Sequence, residues 1–132
     1  MDKKGYQKRI LLAEDDIFVR DMYSVRLKKD GYEVKTVKDG RQALEWLSKN
    51  TPDIILLDIM MPFMDGLEVL AEIQKNENLN TIPVIMLTNL SEGEDIRKAL
   101  TLGASDYIIK SHFTPSEIVS KVNTLYWQLR EQ

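Results

Sequence analysis

Four short stretches of the chain end in side chains that can do chemistry. Glu14, Asp15 and Asp16 follow the apolar run ILLA, Asp58 follows IILL, Thr88 follows VIML, and Lys110 follows YII. With no cysteine and a single histidine in the chain, these carboxylates form a hard oxygen donor set. Such a set suits Mg²⁺, which favours few carboxylates, several waters and phosphate oxygens. A carboxylate can also attack phosphorus to give an aspartyl phosphate. In that transfer the protein mainly positions groups and neutralises charge, using a metal, an ammonium and a hydroxyl. Each residue alone also has a plainer reading. Asp15 or Asp16 can simply cap the helix that follows, Lys110 can snorkel from a strand end, and Thr88 can be an ordinary strand or capping residue. Asp58 resists that reading, because it lies between four apolar residues and Ile59, Met60, Met61 and Pro62, where an unpaired carboxylate is expensive. The joint occurrence of these groups at one rim carries the argument.

A rim of that kind needs elements to build it. Short apolar runs rich in β-branched residues alternate with segments of helical period along the whole chain, the pattern of repeated βα units. The expected strands cover residues 10–13, 33–37, 54–57, 84–87 and 107–109; the expected helices cover about 17–29, 41–49, 67–76, 92–102 and 115–130. In an open parallel α/β sheet, ligands bind outside the carboxyl ends of the strands, and every residue named above follows such an end. Ser91 with Glu94, and Thr114 with Glu117, read as capping boxes, and Pro115 takes the favoured first helical position. Gly31 and Gly103 fit the left-handed position just past a helix end. Pro83 suits a strand entrance. Ile118, Val122, Leu125 and Leu129 form one stripe on the last helix, which predicts a helix laid on a sheet. Strands two to five read in parts as continuous apolar runs, as expected under helices on both faces.

The chain has 132 residues, about one domain's worth. The expectation is therefore one unit over 1–132, with its core at about 9–129 and no output domain. Hydrophobic residues at 43% and charged residues at 30% are globular proportions. The absence of cysteine excludes a disulfide framework and a thiolate metal site and fits a cytoplasmic location. The net charge of −3 is too balanced to name a nucleic acid or an anionic membrane as the main partner. The basic start MDKKGYQKR is followed by an apolar run that stops at Ala13, so no secretory or membrane-spanning segment is expected.

The segments ILLAEDD, DIILLDIMMPFMDG, VIMLT and ASDYIIK together resemble the receiver domain of two-component response regulators, from about Arg9 to Leu129. The resemblance implies a doubly wound (βα)₅ fold of flavodoxin-like type with strand order 2-1-3-4-5. It implies that Asp58 is the phosphorylated aspartate. Glu14, Asp15 and Asp58, with the backbone carbonyl of Met60, would hold Mg²⁺, and Asp16 would be a cap. Thr88 would be the switch hydroxyl, Lys110 the phosphate-pairing ammonium, and Tyr107 the aromatic that reports activation. The implied partners are a sensor histidine kinase or a histidine phosphotransfer protein upstream. Downstream, a protein target would meet the face of helix four, strand five and helix five. The reading is similar to the single-domain chemotaxis regulators, a stand-alone signalling phosphoacceptor rather than an enzyme. A homodimer through strand five and the last helix is a further option, with Tyr126 or Trp127 as contact area.

The chain departs from the family pattern in particular places. Ser111 follows Lys110 where the family has a proline after a cis bond, and KSHFTPSE is one residue longer than usual, so the loop must absorb Ser111 or His112. Asn89 stands where a small residue is usual. Met60 and Leu90 occupy two variable positions flanking the phosphoryl group and are expected to tune its lifetime. The competing reading is a degenerate receiver that takes no phosphate and serves as a constitutive interaction module. A Mg²⁺-dependent phosphatase would need a second acid at Met60, and an FMN protein would need a Ser/Thr/Gly-rich loop where Glu14, Asp15 and Asp16 stand. His112 reads as an exposed loop residue, not a phosphotransfer histidine.

Overall fold

The structure is a computed structural model that describes residues 8–89 and 93–130. Five strands, β1 (Arg9–Ala13), β2 (Glu33–Val37), β3 (Ile54–Asp58), β4 (Val84–Thr88) and β5 (Asp106–Ile109), alternate with α1 (Ile17–Lys29), α2 (Gly40–Leu47), α3 (Gly66–Lys75), α4 (Gly93–Leu102) and α5 (Pro115–Arg130). All strand pairs are parallel, in the order β2-β1-β3-β4-β5. This is the doubly wound order expected from the resemblance.

The two-residue period of a strand divides the core into two layers. Leu11, Ile55, Leu57, Val84 and Met86 face one side, against Ala43 of α2, Val69, Leu70 and Ile73 of α3, and Ala99 of α4. Ile10, Leu12, Ile54, Leu56, Ile85 and Leu87 face the other, against Tyr23 and Leu27 of α1 and Ile118, Val119, Val122 and Tyr126 of α5. Only β3 and β4 are buried throughout, with β1 nearly so. The continuous apolar reading does not hold for β2 and β5, the two edge strands. Each has one neighbour, and Glu33, Lys35 and Tyr107 reach solvent. On α5, Tyr126 joins the core while Trp127 is 53% exposed; Leu125 is half-buried against the core. Among the described residues no helix is long and apolar enough to cross a membrane.

Helix starts follow the local chemistry closely. The Asp16 carboxylate accepts from the N–H groups of Phe18 (2.9 Å) and Val19 (3.1 Å) and caps α1. Thr114 and Glu117 exchange hydrogen bonds as a capping box. Gly31 and Gly103 have φ of +97° and +113°, as their positions past helix ends require. Two starts went unread: Asp39 caps α2, and Asp65 with Glu68 forms a full capping box on α3. The α4 start is Gly93; Ser91, and with it the expected capping box, lies outside the described residues. The loop between β3 and α3 holds Phe63 at φ +69°, and the Arg41 guanidinium of α2 lies 4.0 Å from the centre of its ring.

Gly66, at the start of α3, abuts the end of β3. A β-carbon there would lie 2.2 Å from the Asp58 carbonyl oxygen and 2.9 Å from the Ile59 Cα. Both are backbone atoms, so neither can rotate away. Gly66→Ala is expected to lower stability by about 3 kcal/mol, the upper end of ordinary overpacking, read as a lower urea midpoint. A midpoint unchanged from the parent would contradict this packing.

Candidate functional site

Strand register brings the polar rim together. Ala13 is paired with Leu57, so Glu14 and Asp58 fall side by side just past their partners. Asp58 pairs with Leu87 and Thr88 with Ile109, which places Thr88 one step beyond Asp58 and Lys110 one step beyond Thr88. Lys110 Nζ reaches back across the edge, 2.8 Å from Glu14 Oε1 and 3.2 Å from Asp58 Oδ2. Glu14 is 1% exposed and Asp58 4%, whereas Asp15 is exposed. Carboxylate oxygens of Glu14, Asp15 and Asp58 lie within 4.8 Å of one another, and among the described residues no other group of acids is gathered this way.

The β1–α1 turn is held by several bonds. The Asp16 N–H donates to Glu14 Oε2 at 3.1 Å, and Arg20 Nη1 donates to the carbonyl oxygens of Glu14 (2.8 Å) and Asp15 (3.4 Å). Arg20 is a site-supporting residue that lies outside the sequence expectation. Its position one turn into α1 and its five rigid donors were the available signal.

The electrostatics follow from burial. Desolvation pushes the Asp58 carboxyl up to about 7, with Glu14 adding to the rise and Lys110 opposing it. Burial pulls the Lys110 ammonium down, but Asp58 and Glu14 together outweigh it and hold it above its ordinary value. When ionised, three carboxylates and one ammonium leave a local charge of 1 − 3 = −2. A divalent cation would balance that charge, and an all-oxygen donor set fits a hard ion such as Mg²⁺.

These groups line a cleft of about 490 Å³. Met60, 67% exposed, and Asn89 lie on its wall with Tyr23 of α1. Thr88 is buried at the adjacent strand end and does not line the cleft. Tyr107 is partly exposed on β5, in a separate groove with His112 and Lys121. Leu90 lies outside the described residues. A single 3₁₀ turn covers Lys110–His112. Among the described residues there is no cis peptide, so Lys110 is aimed at the acids across a trans bond to Ser111. The Ser111 hydroxyl donates to the Asn89 carbonyl oxygen at 3.3 Å and ties the two loops beside the cleft. His112 is exposed, as expected.

A parallel sheet of this order with an acidic pocket at its carboxyl edge defines a flavodoxin-like α/β protein of the CheY-like kind. The chain belongs to the response regulator receiver domain family, whose model matches residues 10–123. It is similar to the probable transcriptional regulator ycf27 of Galdieria sulphuraria, 41% identical over 92% of this chain and 46% of that protein. It is also similar to the DNA-binding response regulator MtrA of Mycolicibacterium paratuberculosis, 34% identical over 88% of this chain and 50% of that one. The chain thus spans about half the length of the curated relatives it matches. Among solved structures, the chemotaxis response regulator CheY4 of Vibrio cholerae has a TM-score of 0.85 at 30% identity, over 91% of this chain and 99% of that one. The Mn²⁺-bound form of response regulator Rcp1 has a TM-score of 0.80 at 31% identity, over 89% and 92%. Receiver domains are in general signalling phosphoacceptors rather than enzymes, and they bind Mg²⁺ at an acidic pocket.

Proposed function

We propose that this receiver takes a phosphoryl group on Asp58 from a phosphohistidine of a sensor histidine kinase or a histidine phosphotransfer protein. The observation that carries the reading is the buried cluster in which Lys110 bridges Glu14 and Asp58 with Asp15 at the rim. An Asp58 oxygen forms a bond to phosphorus as the P–N bond breaks, and the electron pair leaves with the imidazole nitrogen. Glu14, Asp15, Asp58 and the backbone carbonyl of Met60 would hold Mg²⁺, which when bound neutralises charge on the phosphoryl oxygens. Lys110 then turns from the carboxylates to the phosphoryl group, and Thr88 supplies the switch hydroxyl. Tyr107 follows, and the face of α4, β5 and α5 is biased towards a protein partner. Hydrolysis of the acyl phosphate resets the switch.

Intact-mass measurement after incubation with a small acyl phosphate, with and without Mg²⁺, tests this. One phosphoryl adduct that requires both Mg²⁺ and Asp58, and is lost in Asp58→Asn, is the expected result. A folded chain with no adduct would instead support the constitutive interaction module. Met60, exposed on the cleft wall, is proposed to slow water attack with its apolar side chain. Met60→Asn is expected to shorten the phosphorylated lifetime about fivefold, the size of one added hydrogen bond of about 1 kcal/mol. An unchanged decay rate would remove Met60 from that role.

A further inference from the structure

We propose that Tyr23 is an additional phosphoryl-contacting residue, whose hydroxyl donates a hydrogen bond to the anionic oxygens that a phosphoryl group on Asp58 brings into the cleft. This rests on the reading of Asp58 as the phosphoacceptor. The side chain has an apolar body and a polar tip in different surroundings. Its body belongs to the cluster of Leu12, Leu27, Leu56 and Val119, and the residue is 5% exposed, so its position is fixed by packing. It nevertheless lines the cleft beside Asp58 and Lys110, and its hydroxyl is within electrostatic reach of Lys110, Glu14 and Asp58.

That hydroxyl has no hydrogen-bond partner among the described residues. Every fully enclosed side-chain polar atom among them does have one. The Tyr23 hydroxyl is therefore open to the cleft. Burial pushes the phenol up to about 12, so at neutral pH it is a donor. An incoming phosphoryl group brings three anionic oxygens with more acceptor sites than the Lys110 ammonium can fill alone. A fixed, unused O–H on the wall meets that need for a donor.

Tyr23→Phe keeps the ring and removes only the hydroxyl. The test compares it with the native full chain for binding of beryllofluoride, a phosphoryl mimic, in the presence of Mg²⁺. Binding is expected to weaken about tenfold, the usual size for a lost hydrogen bond to a charged group. Mg²⁺ affinity in the absence of beryllofluoride and the thermal midpoint are expected to stay as in the parent. The near-ultraviolet difference spectrum on adding beryllofluoride is expected to contain a tyrosine band that the variant lacks, which a purely structural role would not produce. Equal beryllofluoride affinity in the two proteins, with the tyrosine band retained, overturns the assignment and leaves Asp58 untouched. A native chain that binds Mg²⁺ but takes neither beryllofluoride nor phosphoryl overturns the phosphoacceptor reading and Tyr23 with it.

Discussion

In metal-free buffer at pH 8, Asp58→Asn is expected to be more stable than the native chain by roughly 4 kcal/mol. The reason is the sign of the Asp58 shift. Folded, this carboxyl holds its proton up to about pH 7, against an ordinary value of 3.8, so the folded state binds the proton more tightly than the unfolded one. The stability associated with this group is complete below about pH 4 and is lost as pH rises through 7. Asparagine does not titrate, so the gap between variant and native chain opens between these limits and is flat above them. Urea unfolding of both proteins from pH 4 to pH 8 measures it. Mg²⁺ is expected to close the gap, because only the native chain offers the ion a charged Asp58. A gap independent of pH would mean that burial does not govern this carboxyl.

Lys110→Met should act in the opposite direction. The ammonium is the ion-pair partner of both Glu14 and Asp58, each almost fully enclosed. Removing one member of a buried ion pair typically costs about 3–5 kcal/mol, because the remaining charge has no compensation. At pH 8 without metal the variant is expected to lose that much in urea unfolding, and less at pH 5, where Asp58 is protonated in the fold. Combining Lys110→Met with Asp58→Asn should be milder than the single Lys110 change, since one stranded carboxylate is gone. Strict additivity of the two effects would show that the residues do not share a network. These substitutions report on the cluster whether or not phosphate is present, and so complement the mass measurement.

The alternation of strands and helices was legible because each buried strand reads as an apolar run and each polar rim residue follows directly. The carboxyl-edge placement of Glu14, Asp58, Thr88 and Lys110 follows from that alternation alone. Other features were not legible for physical reasons. Lys110 and Glu14 are 96 positions apart, and only the pairing register makes them neighbours. Nothing in YIIK distinguishes a lysine that snorkels outward from one that turns inward. Edge and central strands differ by the number of neighbours, which composition reflects weakly, so β2 and β5 were read as more buried than they are. The Asp65–Glu68 capping box stands in the sequence as D-x-x-E and starts α3 at Gly66, one residue before the apolar periodicity that begins at Leu67. Tyr23 is hidden for a different reason. Helix α1 carries Val19, Tyr23 and Leu27 on its packed face and leaves Phe18, Met22 and Val25 exposed, so apolar residues occur all round and no face stands out.

Phe63 and Arg41 have a consequence for how this loop can change over generations. A phenylalanine at φ +69° costs about 1–2 kcal/mol relative to glycine, and the guanidinium 4.0 Å from its ring centre offsets about 0.5–1 kcal/mol of it at this exposed site. Replacing Arg41 first would leave the strained backbone without its stabilising contact, whereas replacing Phe63 by glycine first relieves the strain and leaves Arg41 merely exposed. The two positions therefore form an ordered pair, in which a drifting sequence can cross readily from the aromatic side but meets a barrier when it starts from the arginine.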